Sequence, residues 1–531
     1  MLALNEDSSH FFSWHPKEEM NAEGLDAWVD QYADTQVEEL ILCTNAQRSS
    51  MASTARQTVW DGFDPAADKN QPFFAGVPDQ PLWSGGPNAR ELMYAWVYHA
   101  WLLHQQGLDP YARWIARRRR RGLRTWLSMR MNDVHYVNNP DHCIHDRFWK
   151  EHPEYRRTPP QVDGYNGQCF DYAIPEVFEY QLSYARELIA RYDLDGFELD
   201  WMRNPYYFKP GREKEGLAVL TEFVAAVRQL LDQRTREVNH PIQLGVRVPS
   251  RPETALGLGF DVPTWAERRL VDKVAASSFL FLEFDLPVAR WKALLKDTGV
   301  RLAGVVDAAL QPPPGSACAM SRATTREMVR GAATAFWDRG VDQVYLFNHM
   351  DNNPLGLSGK KYEASDSGQS YRQMLREVGS LQTLSGLSRR HIITQPDTFA
   401  PEELKAPTLP RLCPAGASAV FNLATGPIPA AGQRVQLRLT TELAGGGTAP
   451  ACQARLNGTL CPAIDSLPQL QGCSRPVSVF EAPSAAVRPG ENQIAIHNSS
   501  AQGIQLTHVE LAVSGMGGQW PEQGPETAAS P

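Results

Sequence analysis

The 531-residue chain has no run of 18 apolar residues, which excludes a membrane-spanning helix. No Gly-rich phosphate turn follows its first apolar run, and no Walker loop or G-x-S-x-G elbow occurs. Dinucleotide binding, P-loop phosphoryl transfer and the common serine-hydrolase site are thereby set aside. The thirteen histidines include no H-x-H or H-E-x-x-H pair, so neither a catalytic metal nor another cofactor is expected. Close donors in "DHCIHD" (141–146) sit in a Pro-rich stretch and read as loop. Excess positive charge is also missing. The net charge of −8 argues against nucleic acid or an anionic membrane as partner. The one basic run, "ARRRRRG" at 116–122, reads as a solvated helix end favoured by the helix dipole.

Cysteine is sparse, with eight residues and no zinc-site spacing. Cys413, Cys452, Cys461 and Cys473 cluster late in the chain and could pair in an oxidising compartment. The opening "MLALNEDSSHFF" lacks the length and charge of a signal peptide. A secreted or periplasmic location, with a leader absent from this chain, is the expectation, and a cytoplasmic one the alternative.

What is present is alternation. "MLALN", "EELILCTN", "LRTWLSMR", "LDGFELDW", "IQLGVRVP", "VDKVAASSF", "VRLAGVVDA" and "VDQVYLFN" are short apolar runs separated by helical patterns. Helices are predicted near 22–34, 88–106, 109–120, from Pro175, and near 213–236, 262–269, 287–296, 323–338 and 368–379. Eight strand–helix units predict an α/β fold, a closed (β/α)8 barrel over residues 1–388. After about 390 the pattern changes to apolar–polar alternation between Gly/Pro turns, which predicts a small β-sandwich over 389–515. Residues 516–531 read as a disordered tail. Insertions at 46–87 and 132–170 follow strands two and three and fall on the face where barrel enzymes keep their sites.

The fourth run, "YDLDGFELDWMRNP", breaks the rule for a buried strand. Side chains alternate, so Phe197, Leu199 and Trp201 share the face toward the helices. Gly196, Glu198 and Asp200 share the face toward the interior and its mouth. Two buried acids are costly unless paired or used. An internal salt bridge from Arg203 or Arg247 is the structural explanation. The chemical one is an acid/carboxylate pair whose crowding holds one member protonated, as glycoside hydrolysis requires.

"DGFELDW" behind "RYDL" resembles the fourth-strand signature of glycoside-hydrolase-like (β/α)8 barrels, in which phrases of the type "RYDVDGIELDF" recur. Against the chitinase pattern D-G-x-D-x-D-x-E, Glu198 and Asp200 take two acid places and Met202 stands where the catalytic Glu belongs. Against the alpha-amylase pattern D-G-F-R-x-D, Asp200 matches the nucleophile and Glu198 replaces the Arg. The resemblance implies glycosidase chemistry on an oligo- or polysaccharide, without a cofactor.

A sugar bond is flanked from both sides, so Asp200 and Glu198 need a partner from another strand end. Asp307 and Asp133 are the catalytic candidates, Asp307 being equally readable as a helix N-cap. Asp7, His10, Asn45, Arg48, Arg130, Asn132, His135, Arg203, Arg247, Glu283, Asn348 and His349 follow strands and are candidates to hold substrate, with Asp285 and Asp351 as further acids. Trp201, Tyr206, Tyr207, Trp149 and Tyr165 are candidate stacking platforms. The rival readings are a non-catalytic glycan-binding barrel, and a barrel acting on a non-glycosidic bond of a sugar as a lyase or deacetylase.

Overall fold

The computed structural model describes residues 1–82, 86–311, 324–351, 369–405, 408–443, 452–467, 477–518 and 520. Eight parallel strands close a barrel: β1 (Leu2–Glu6), β2 (Val37–Cys43), β3 (Arg124–Arg130), β4 (Gly196–Asp200), β5 (Gln243–Pro249), β6 (Lys273–Ser277), β7 (Arg301–Asp307) and β8 (Gln343–Phe347). β1 pairs with β8 to shut the ring. The eight apolar runs are these strands, and helices at Ala22–Asp30, Ala89–Gln105, Pro110–Arg120, Pro175–Arg191, Glu213–Val238 and Arg326–Asp338 match the periodic segments. Their starts are chemically specified. Asn21, Asn88 and Asp109 each accept a hydrogen bond from a first-turn N–H, and Pro110 and Pro175 occupy first turns.

The barrel interior is filled in layers. At the bottom, buried Glu39 contacts Lys273 Nζ and Arg301 Nη1, each at 3.2 Å, and accepts from Gln343 Nε2 at 2.8 Å. Burial alone would raise this carboxyl, but Lys273 and Arg301 outweigh it and hold it at about 2. Above lies an apolar plug of Ala3, Ile41, Trp126, Ala275, Ala303, Val305, Tyr345 and Phe347. Trp126 dictates its neighbour on β4. A Cβ at Gly196 would fall 2.2 Å from the indole, so only glycine fits there. The mouth layer follows from register, since β3, β4 and β5 place Arg130, Asp200 and Arg247 side by side.

The basic run ends the helix Pro110–Arg120, with Arg120 and Arg121 exposed as a solvated end requires, and it also makes contacts beyond that role. Arg113 pairs with Asp26 at 2.8 Å, Arg117 with Asp30 at 2.5 Å, and Arg118 is wholly buried. The run docks one barrel helix on its neighbour.

From Arg389 onward the chain is antiparallel β. One sheet runs β10 (Arg411–Cys413), β18 (Ile504–Val513), β12 (Val435–Leu443), β16 (Val477–Ala482) and β15 (Ala463–Leu467), with β9 (Arg389–Ile392) also pairing β18. The second runs β11 (Ser418–Gly426), β17 (Gly490–Asn498), β13 (Cys452–Leu456) and β14 (Thr459–Cys461). Buried Glu510 ties the first sheet together. It takes Arg390 Nε at 2.8 Å and Nη2 at 2.7 Å, and Arg438 Nη1 at 3.2 Å. The barrel helix Arg326–Asp338 packs on β9 and β11. At Gly331 a Cβ would fall 1.9 Å from the Arg390 carbonyl oxygen, so the glycine permits this contact.

Cys413, Cys452 and Cys461 are free thiols, so no bridge forms among them, and Cys473 lies outside the described residues. The tail is not disordered from its start. Met516 N–H donates to the Gly386 carbonyl at 2.9 Å, and the Trp520 ring lies 5.4 Å from Arg434 Cζ. Residues 521–531 lie outside the described residues.

Candidate active site

Strand β4 carries its two acids at different depths. Asp200, at the mouth, accepts from Arg247 Nε at 2.8 Å on Oδ1 and from Nη2 at 3.1 Å on Oδ2. Arg247 is fixed in turn. Its Nη1 donates to Ser277 Oγ at 2.9 Å, and its guanidinium lies 3.8 Å from the Phe347 ring centroid. The salt bridge foreseen as the structural explanation is therefore present. Glu198, one pleat lower, has 0% exposure. Its Oε1 accepts from Ser128 Oγ at 3.0 Å and Tyr345 OH at 2.9 Å, while Oε2 has no hydrogen-bond partner. Burial raises this carboxyl, with nearby Asp200 adding to the effect against Lys273. The expectation of Glu198 as a catalytic group meets a steric bar: it is inside the barrel, not at its opening.

Asp307 ends β7. It is buried, and its Oδ2 has no hydrogen-bond partner. Burial pushes the carboxyl well above the usual carboxylate range, against the fields of Arg247 and Arg203. The N-cap reading fails, because Thr325 caps the following helix through its side chain. Asp285 caps nothing either, since the next helix, Val288–Leu294, has no side-chain cap. Glu283 is a second perturbed acid. Its Oε2 accepts from Ser250 Oγ at 2.6 Å and Ser278 Oγ at 3.2 Å, and burial pushes it up to about 7.

A cleft of about 180 Å³ opens at the mouth beside β1, β3 and β8. Its polar end is formed by Asp7, Arg130, His135, Arg203 and Asn348, and its apolar wall by Trp14, Leu82, Met93, Trp96, Tyr136 and Ile144. The polar end is one chain of charges. Asp7 accepts from Ser9 and pairs with Arg130, whose Nη1 donates to Asp133 Oδ2 at 3.2 Å. His135 joins Asp133 Oδ1 through Nδ1 at 2.8 Å and Arg203 Nη2 through Nε2 at 2.7 Å. A guanidinium only donates, so Nε2 is the acceptor and Nδ1 carries the proton. Burial would raise Asp7 and Asp133, but Arg130 beside the first and His135 beside the second dominate and hold both carboxyls low.

Several candidates are spent elsewhere. Asn45 holds the backbone of Arg130 (N–H at 3.1 Å, carbonyl at 3.2 Å). Arg48 donates to the carbonyls of His145 and Asp61, and Asn132 bridges the backbones of Phe170 and Tyr206. All three are committed to backbone groups at strand ends and in loops, and none lines the cleft. Arg247 is wholly buried under Asp200. His349 is buried as well, and desolvation lowers it to about 4. Trp201 is no stacking platform. It is buried among Tyr172, Tyr207, Phe223 and Phe260 on the helix-facing side. Trp149 is buried beneath Arg156, Tyr207 is buried, and Tyr206 and Tyr165 do not line the cleft. In "DHCIHD", both ring nitrogens of His145 meet backbone carbonyls and His142 stacks on Tyr136 at 4.2 Å. The aromatic wall was missed because Trp14 and Trp96 come from helices and Tyr136 from a loop, where no strand register marks them.

One cluster beside the cleft could hold a metal. His10, which lines the cleft, joins Glu6 Oε2 through Nδ1 at 2.7 Å. His15 joins Glu19 Oε2 through Nδ1 at 2.7 Å. Both Nε2 atoms face Asp351, which follows β8. Burial would lower His10, but Glu6 and Asp351 prevail and raise it to about 10.

No family model matches the chain, and no curated protein matches it. Solved structures that the chain matches include glycoside hydrolases, at low identity and low TM-score. The chain matches a Paenibacillus sp. cycloisomaltooligosaccharide glucanotransferase at 9% identity and TM-score 0.32, covering 96% of this chain and 57% of that one. It matches the PgaB (BpsB) glycoside hydrolase domain of Bordetella bronchiseptica at 11% and 0.39, over 72% and 99%. An alpha-amylase of Geobacillus thermoleovorans matches at 11% and 0.39, over 95% and 98%. The barrel itself is established by its strand pairing.

Proposed function

We propose that the chain is a glycoside hydrolase that cleaves an O-glycosidic bond of an oligo- or polysaccharide at the barrel mouth. The observation that carries this reading is Asp307: a buried strand-end carboxyl with an unpartnered oxygen, whose burial favours the protonated form, in the same Arg247 field as Asp200, which Arg247 pairs. An acid and an anion set apart by their surroundings are the two groups this hydrolysis needs. Asp307 donates its proton to the leaving oxygen. Asp200, released in part from Arg247, serves as the anionic partner. The cleft supplies recognition. Trp14 and Tyr136 offer ring faces to sugar C–H groups, and Asp7, Arg130, His135, Arg203 and Asn348 offer donors and acceptors to hydroxyls.

Asp307→Asn tests the assignment. Loss of the general acid lowers turnover about 10²–10⁴-fold on glycosides with poor leaving groups. Activated aryl glycosides, which need no protonation, stay closer to wild type. Unchanged rates on poor leaving groups refute the role of Asp307.

A binding-only barrel is the second reading. Its supporting observation is that Arg247 occupies both oxygens of Asp200. Glycan binding by calorimetry, with no reducing ends released from any substrate in a broad panel, would establish it instead.

A further inference from the structure

We propose that His10, His15 and Asp351 bind one divalent transition-metal ion of the zinc class beside the cleft. This departs from the expectation of no metal and does not depend on the glycosidase reading. Two imidazoles and a carboxylate form a mixed nitrogen–oxygen ligand set suited to such ions.

The geometry points to a ligand in three ways. The three donor atoms lie within 4.8 Å of one another. At ligand bonds of about 2.1 Å, the edge of a tetrahedral site is about 3.4 Å. His15 Nε2 is 3.4 Å from Asp351 Oδ2, and His10 Nε2 is 2.9 Å from Asp351 Oδ1. The spacing already suits a shared ion. Second, His10 and His15 side chains are 0% and 10% exposed, and both turn Nε2 to the same carboxylate, Asp351, at 2.9 and 3.4 Å. Two imidazole nitrogens and one carboxylate converge on one small volume, the arrangement of a ligand set around a single ion.

Third, the opposite nitrogens are already committed. Each Nδ1 meets its own carboxylate, Glu6 for His10 and Glu19 for His15. Metal-bound histidines are oriented in just this way, with Nδ1–H on a carboxylate and the Nε2 lone pair left for the ion. Glu6 is itself held by Tyr32 OH at 2.5 Å, and Asp351 by Gln31 Nε2 at 2.9 Å. Charge agrees. Three carboxylates surround two imidazoles, so even two imidazolium ions would leave an excess negative charge that a dication can meet.

The site spans the barrel seam. His10 and His15 flank the short helix after β1, and Asp351 follows β8, the strand that β1 joins. Bound metal would therefore clip the two ends of the closed ring together at its mouth.

The test uses the full chain, stripped with chelator and titrated with Zn²⁺ and then Co²⁺. One equivalent of Zn²⁺ is expected by calorimetry and elemental analysis, and Co²⁺ should give visible d–d absorption. His15→Gln and Asp351→Asn should abolish the Co²⁺ bands. Glu19→Gln, at a half-exposed carboxylate, should keep the fold by near-ultraviolet circular dichroism and weaken Zn²⁺ about 10–100-fold. His152→Ala, at an unrelated histidine, should change nothing. A folded chain that takes up no stoichiometric metal overturns the proposal. So does Zn²⁺ binding that survives His15→Gln, Asp351→Asn and Glu19→Gln undiminished.

Discussion

Asp200 is offered as a reacting group and is also half of a buried ion pair, and one pair of variants separates the two roles. In Asp200→Asn the charge opposite Arg247 disappears. Arg247 is wholly buried, and Ser277 Oγ and the Phe347 ring still meet its guanidinium. Breaking a buried pair from one side costs about 3–5 kcal/mol, because the remaining charge is stranded. The Asn carbonyl still accepts one hydrogen bond from Arg247, so the lower end of that range is expected, about 3 kcal/mol. Asp200→Asn combined with Arg247→Gln removes the stranded charge, and most of that loss should return. Denaturant unfolding, monitored at constant slope, reads the stability of both variants. Hydrolysis of a panel of aryl and natural glycosides reads their activity. If Asp200 reacts, activity stays at least about 10²-fold down in both variants, whatever the stability. Activity that returns together with stability in the double variant would refute the catalytic assignment and leave Asp200 as a structural anion.

Other outcomes follow from single groups. Glu283 has its carboxyl raised from 4.5 to about 7 by burial. Such a group stabilises the fold fully below its unfolded value and loses that contribution as pH rises through about 7. Glu283→Gln should therefore flatten the fall in stability between pH 5 and 8, and an unchanged slope would exclude Glu283 as its source. Trp14 lines the cleft and Trp201 does not. Trp14→Ala should raise KM with the fold intact, whereas Trp201→Ala should cost about 3–5 kcal/mol of stability through its cavity. A KM effect from conservative Trp201→Phe would contradict its burial.

Period and register made the barrel readable. Strands of alternating or wholly apolar residues and helices of 3.6-residue period are local signals, and capping residues such as Asn21, Asn88 and Asp109 sit where those helices begin. Alternation also assigned the faces of β4 correctly: Glu198 and Asp200 inward, Trp201 outward. Depth is different. Nothing local distinguishes Glu198, closed over by Ser128 and Tyr345, from Asp200 one pleat above it. Asn45, Arg48 and Asn132 follow strands as cleft residues do, yet their amide and guanidinium groups serve backbone carbonyls of Arg130, His145 and Tyr206. That demand arises only once the long loops fold back. The histidine cluster was equally hidden. Its spacing of five residues matches no familiar pair, and its carboxylate lies more than three hundred residues away in the chain, brought near only by the β1–β8 closure.

The pairing of β9 with β18 bears on the order of events during synthesis. β9 leaves the ribosome soon after the last barrel strand, but its partner strand β18 follows only after β10 to β17. Until then the barrel helix at Arg326–Asp338, whose Gly331 is shaped to receive the Arg390 backbone, waits without its cover. The nascent barrel thus holds an apolar face open for the time needed to translate the whole second module. Chaperone capture and truncation by early termination should both act at that face, and products ending between β9 and β18 should be the ones that aggregate.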